Sequence, residues 1–158
     1  RNLSQIYYFN GMPYKAASVI EKGLEDKILN AGNKNLTFLA QAWVGAKEFD
    51  KAVGTYQRLA RLSQDGLAEQ QIAEIRLQQG LFEQVIEAGE KASEKGGLKN
   101  PGNLYLALGM ANFNLKYYDK AIEAFTQASE IKSSKRMATQ WLKFVEREKK
   151  QRRLLASN

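Results

Sequence analysis

Three segments of the chain superimpose at spacings of 33 and then 36 residues. Phe49, Phe82 and Tyr118 set the register. Each is followed three residues later by a small or branched residue: Ala52, Val85 and Ala121. A weaker fourth copy lies at the front, with Pro13 and Ala16 in the equivalent places. A period near 34 with this small/large pattern predicts a solenoid of helical hairpins. A solenoid works by presenting a surface, so the register points to a partner rather than to a reaction.

Within the period, apolar residues fall at helical steps. Leu36, Leu39, Ala40 and Trp43 share one helical face, and Phe49, Ala52, Tyr56 and Leu59 share another after a turn at Gly45-Ala46-Lys47-Glu48. Ala40 and Ala52 are small where two helices should cross. The next copy reads Ile72-Ala73, a turn at Gly80, then Phe82, Val85, Gly89 and Ala92. It places Arg76 where the previous copy has Trp43, so this charge is expected to snorkel outward or to pair with a Glu across the repeat interface. The last copy is the clearest, with Leu104, Tyr105, Leu108, Gly109 and Ala111 before the turn and Tyr118, Ala121, Phe125 and Ala128 after it. Gly96-Gly97-Leu98-Lys99-Asn100-Pro101-Gly102 is the strongest breaker and accounts for the longer second spacing. In the first copy, helix is expected to run through Ile28-Leu29 and to be capped by Asn30-Ala31-Gly32.

These readings divide the chain into residues 1–133, about four hairpins with the first incomplete, and residues 134–158, a helix that closes the array. Met137, Trp141, Phe144 and Val145 form that helix's apolar stripe. Beyond Glu146 it turns strongly charged and is expected to project from the body, with Leu154 and Leu155 as an exposed apolar end. The chain opens on Arg rather than Met, no signal-peptide pattern follows, and the first copy lacks the start of its first helix. It is expected to be the C-terminal piece of a longer array.

Composition narrows the chemistry. There is no Cys and no His in the 158 residues. Disulfides, thiol nucleophiles, histidine-ligated zinc and a Ser-His-Asp triad are therefore excluded. No apolar run is long enough for a transmembrane helix. Gly96-Gly97 is not followed by Gly-Lys-Ser/Thr, so it is no phosphate loop. Glu83 with Glu87, and Glu90 with Glu94, are i,i+4 carboxylate pairs that could bind metal or do acid/base work. With no further ligand nearby in sequence they read as solvated surface, and Tyr7-Tyr8 reads as packing. The expectation is a non-enzyme with no cofactor and no metal.

The net charge of +7 is uneven. Nine of the 24 basic residues but only two of the 17 acidic ones lie in residues 132–158, so the first 131 residues sum to zero. One reading is a solvated helix end. The other is electrostatic contact with nucleic acid or an anionic surface through Lys149, Lys150, Arg152 and Arg153. The segment lacks the interleaved aromatics of single-strand binders, so nucleic-acid or anionic-surface binding ranks second to a protein-interaction scaffold.

The motif Tyr105-x-x-Leu108-Gly109-x-x-Asn112, then Tyr118-x-x-Ala121-x-x-x-Phe125-x-x-Ala128, resembles the tetratricopeptide repeat. The family expects an aromatic where Asn112 stands and a Pro where Ser133 stands, and this chain has neither. The resemblance implies an all-α, right-handed solenoid of antiparallel helix pairs, with the first helices lining a concave groove. Carried over by register, that groove takes Gln5, Tyr8 and Phe9 from the first copy, Lys34, Thr37, Gln41 and Val44 from the second, Gln70, Glu74, Leu77 and Gln78 from the third, and Asn103, Leu106, Met110, Phe113 and Asn114 from the fourth. Amides suit a peptide backbone, and Leu106, Met110 and Phe113 an apolar anchor; packing against neighbouring repeats is the competing role for these three. The Lys/Asn/Arg clamp by which chaperone-binding relatives hold a C-terminal carboxylate is absent.

Residues 95–105, 108–113 and 137–146 are similar to a narrower group, the periplasmic tetratricopeptide proteins encoded with bacterial TonB-ExbB-ExbD systems. That resemblance implies a periplasmic adaptor aiding TonB-dependent uptake, with a protein or peptide segment, such as a TonB-system component, as its partner. The alternative compartment is the cytoplasm.

Overall fold

The computed structural model describes residues 2–156; Arg1, Ser157 and Asn158 lie outside the described residues. The described residues form helices and connecting turns, with no strand among them. The helices are α1 (Asn2–Phe9), α2 (Pro13–Glu25), α3 (Asn33–Gly45), α4 (Phe49–Leu62), α5 (Leu67–Gln78), α6 (Phe82–Lys95), α7 (Pro101–Asn114), α8 (Tyr118–Glu130) and α9 (Lys135–Ala156). They pair as α1–α2, α3–α4, α5–α6 and α7–α8. Each second helix also packs on the first helix of the next pair, and α9 takes the place of a fifth first helix against α8 and α7. The fold is an all-helical, tetratricopeptide-like solenoid.

The register explains why these helices pair. At the crossings stand Ala16, Ala40, Ala52, Ala73, Ala92 and Ala121, all fully buried, with Trp43, Tyr56 and Phe125 filling the space beside them. Four turns of one geometry join the two helices within each pair. Gly11, Lys47, Gly80 and Lys116 each adopt positive φ. The following residue donates its N–H five residues back, as in Met12 to Tyr7 O, Glu48 to Trp43 O, Leu81 to Arg76 O and Tyr117 to Asn112 O. This is a Schellman cap, which satisfies carbonyls at the end of each first helix.

The Trp43 register position is solved three ways. Trp43 is buried edge-on against Tyr14 at 5.4 Å, with Lys51 Nζ 4.4 Å from its ring. Arg76 crosses the repeat interface, though to Asp50 of α4 at 2.8 Å rather than to a Glu, and also donates to Gln79. Asn112 is buried and donates back to Leu108 O at 2.8 Å.

Two expectations are corrected. Helix α2 ends at Glu25 instead of continuing to Leu29. Lys27 turns to φ 56° and Leu29 N–H reaches back to Gly23 O at 2.8 Å, so the chain reverses there. Asn30-Ala31-Gly32 leads into α3: Asn35 Nδ2 donates to Asn30 O at 2.9 Å. The charged end of α9 also does not stand clear of the body. Lys149 pairs with Asp119, and the Arg152 guanidinium lies 5.6 Å from the Tyr118 ring, so both dock onto the start of α8.

The two ends of the array differ. Leu39, Ile72 and Leu108 occupy one register position, Ala42, Ile75 and Ala111 another, and all six are buried. Their equivalents in α1, Leu3 and Ile6, are more than half exposed. At the other end, α9 buries Ala138 and Val145 inward and turns a charged face outward.

Candidate partner-binding cleft

The first helices α3, α5 and α7 stand side by side and enclose a cleft of about 540 Å³. Thr37 and Gln41 reach it from α3, Gln70 and Glu74 from α5, and Asn103 from α7. These five belong to the groove expected from the register, and the structure brings them together. They converge because equivalent positions on parallel first helices repeat on the same face.

The polar side chains of the cleft are internally ordered. Gln70 Nε2 donates to Glu74 Oε1 at 3.1 Å and to the Asn100 carbonyl at 3.3 Å, while Gln71 Nε2 donates to Glu74 Oε2 at 3.1 Å. Glu74 therefore sits between two amides. Tyr56 and Leu59 also line the cleft. Burial, reinforced by the Glu74 carboxylate and then by Tyr8, pushes the Tyr56 hydroxyl up to about 12, so it stays a neutral phenol at ordinary pH. Asp65, Gln71, Lys99 and Asn100 line the rim and were missed by the register argument. Three of these lie in or beside the loops before α5 and α7. A loop adjoining the first turn of a groove helix was the available signal.

Other expected groove residues lie elsewhere. Tyr8 packs on Phe38 at 5.5 Å and edge-on to Phe9 at 6.2 Å, beyond the cleft, and Phe9 is 83% exposed. Gln5 is half-buried on α1. Lys34, Gln78 and Asn114 are exposed and outside the cleft, and Asn114 Nδ2 is held by Met110 O. Val44 and Leu77 pack partly buried against the main core.

The apolar anchor is a correction. Leu106 is buried, and Met110 and Phe113 pack with it in a second core beneath α9. Phe113 lies 5.8 Å from Trp141 and 5.3 Å from Phe144. The reason is positional. In the third hairpin the same register holds Gln70 and Glu74, facing the cleft, and Leu77, packed against the main core. In the fourth it holds Leu106, Met110 and Phe113, because α9 covers them.

A second cleft of about 500 Å³ opens on the opposite side, between α4 and α6 over α5. It holds Glu69, whose side chain is 8% exposed and which pairs with Lys95 at 2.6 Å. Lys95 also donates to the Ala60 carbonyl at 2.6 Å. Glu87 is held below the usual carboxylate range by its hydrogen bond with Lys91 at 2.7 Å. Glu83 and Glu90 are exposed. No group of three or more candidate ligands for a metal ion occurs among the described residues, and no described helix is long and apolar enough to cross a membrane.

Residues 102–135 match the family model described as Tetratricopeptide repeat. Solved structures extend the likeness over the whole fold. A crystal structure of MamA protein superimposes with a TM-score of 0.80 at 17% identity, covering 99% of this chain and 84% of the other. MamA 41-end from Desulfovibrio magneticus RS-1 gives 0.77 at 18% identity, with 99% and 87% covered. The Arabidopsis OM64 TPR domain gives 0.64 at 21% identity, with 73% and 95% covered. No curated protein matches by sequence.

Proposed function

We propose, from a tetratricopeptide-repeat solenoid with an amide-lined cleft, that the protein is a non-enzymatic scaffold that holds an extended partner segment between α3, α5 and α7. The convergence of Thr37, Gln41, Gln70, Glu74 and Asn103 carries this reading. Amide and hydroxyl groups match the donors and acceptors of an extended backbone, which favours a peptide over an apolar small molecule. The Gln70–Glu74–Gln71 set is already ordered, so little side-chain entropy is lost on binding.

The finer assignment is a periplasmic adaptor of a TonB-type uptake system. It rests on the sequence resemblance of residues 95–105, 108–113 and 137–146 alone. A photo-crosslinking residue at Gln41 or Asn103, compared with one at Glu123 on α8, tests both levels. The scaffold reading requires a partner captured from the cleft positions and not from Glu123. Gln41→Arg with Asn103→Arg should then weaken that partner at least about tenfold, while far-UV circular dichroism stays unchanged. Full retention of affinity would exclude the cleft. A captured partner unrelated to TonB, ExbB or ExbD would exclude the adaptor role while leaving the scaffold.

A further inference from the structure

Docking Lys149 and Arg152 onto α8 removes two of the four basic residues singled out from sequence and leaves a different cationic surface. Helix α9 turns Ala138 and Val145 into the core. At 100° per residue, Arg136, Lys143, Arg147 and Lys150 fall on the opposite side, in a line about 21 Å long. All four are exposed. Lys132 and Lys135 add positive charge beside its start, where Lys132, Lys135, Arg136 and Lys143 border a shallow cleft with Thr139 and Gln140. None of these six cations has a carboxylate partner among the described residues.

An apolar line, interrupted by Glu148, runs beside the charges. Met137, Phe144 and Leu155 lie about 90° round the helix from the cationic line. Met137 is 49% and Leu155 77% exposed, and Phe144 is half-buried with Arg147 5.8 Å from its ring. This face closes the last unit of the solenoid. A helix with cations on one line and apolar side chains on the next is the arrangement that settles at a headgroup boundary.

We propose that the outer face of α9 docks on a lipid bilayer bearing anionic headgroups. The cations meet the phosphates, and Met137 and Leu155 enter the interface. An acidic protein or nucleic acid would engage the cations but leave the apolar line unused, and the line offers no row of rings on which bases could stack. The site is separate from the α3–α5–α7 cleft, so it stands or falls independently of the partner-binding reading.

The test is co-sedimentation of the full chain with vesicles of phosphatidylcholine mixed with phosphatidylglycerol, against phosphatidylcholine alone. Binding is expected only with the anionic vesicles and should weaken with salt. Each cation near such a surface contributes roughly fivefold in partitioning. Combining Arg136→Gln, Lys143→Gln, Arg147→Gln and Lys150→Gln should therefore lower binding by about a hundredfold or more, with unchanged helicity. Met137→Ser with Leu155→Ser should weaken it as well, whereas Lys149→Gln with Arg152→Gln should leave it near the original. Absence of binding to anionic vesicles, or retention of binding by the fourfold variant, overturns the proposal. So does equal binding to duplex DNA or polyglutamate that is insensitive to Met137→Ser with Leu155→Ser.

Discussion

Replacing Gly109 with alanine tests the packing argument at its tightest point. Gly109 lies within α7, where α8 crosses it. A Cβ placed there would stand 2.5, 2.6 and 2.7 Å from three carbons of the Phe125 ring. Ordinary carbon contacts are about 3.5–4.0 Å, so the ring must retreat by about 1 Å. It has nowhere to go. Phe125 is fully buried, and Trp141 stacks on it at 5.3 Å with 7° between the planes. Trp141 in turn touches Phe113 and Phe144. Overpacking such a site costs about 1–3 kcal/mol. Alanine recovers about 1 kcal/mol of helix propensity over glycine. Gly54 in α4 provides the reference, because nothing lies within 4 Å of a Cβ there. Gly54→Ala keeps the propensity gain without the clash. The two variants should therefore differ in stability by about 1–3 kcal/mol, with Gly54→Ala the more stable. At roughly 2–4 °C per kcal/mol for a chain of this size, thermal melts resolve the difference. Near-UV circular dichroism should change for Gly109→Ala alone, since Trp141 must move. If both variants gain equally, the α7–α8 crossing is not as close as described and the reasoning fails.

Three further outcomes follow from named contacts. Lys95→Met leaves Glu69 buried without its cation and should destabilise by about 3 kcal/mol; adding Glu69→Gln should restore most of that, and non-additivity in urea melts is the check. The Tyr56 hydroxyl ionises near 12 when folded but near 10 when unfolded, so its contribution is complete below pH 10 and is lost as pH rises toward 12; the fall in stability over that window should be shallower for Tyr56→Phe, and equal slopes would refute the assignment. Lys47→Gly and Lys116→Gly relieve side chains held at φ 59° and 65° and should each stabilise by about 0.5–1 kcal/mol, whereas Gly80→Lys should destabilise.

Much of the scaffold was legible because it depends on spacing. Phe49, Phe82 and Tyr118 recur with a small residue three positions on, and close helix crossings require that pairing wherever the chain folds. The partner-facing side was only partly legible. A register identifies equivalent positions, but not whether a neighbour covers them. Thr37, Gln41, Gln70, Glu74 and Asn103 line an open cleft, while Leu106, Met110 and Phe113 lie under α9. The change from Gln and Glu to Leu and Met at matching positions was the sign of that cover.

The linear order of residues determined the repeat, the helical class, the absence of histidine and cysteine chemistry, and the concentration of charge in residues 132–158. These follow from composition and from the period of local structure, which are properties of neighbours along the chain. The tertiary structure alone decided which of those charges contact the body of the solenoid. Lys149 and Arg152 turn back to Asp119 and Tyr118, because α9 packs along α8 and brings residues some 30 positions apart into contact. It also decided that α2 stops at Glu25, since the reversal depends on Leu29 folding back over Gly23. Spacing identifies the faces, and only the packing of distant segments determines which faces remain open to a partner.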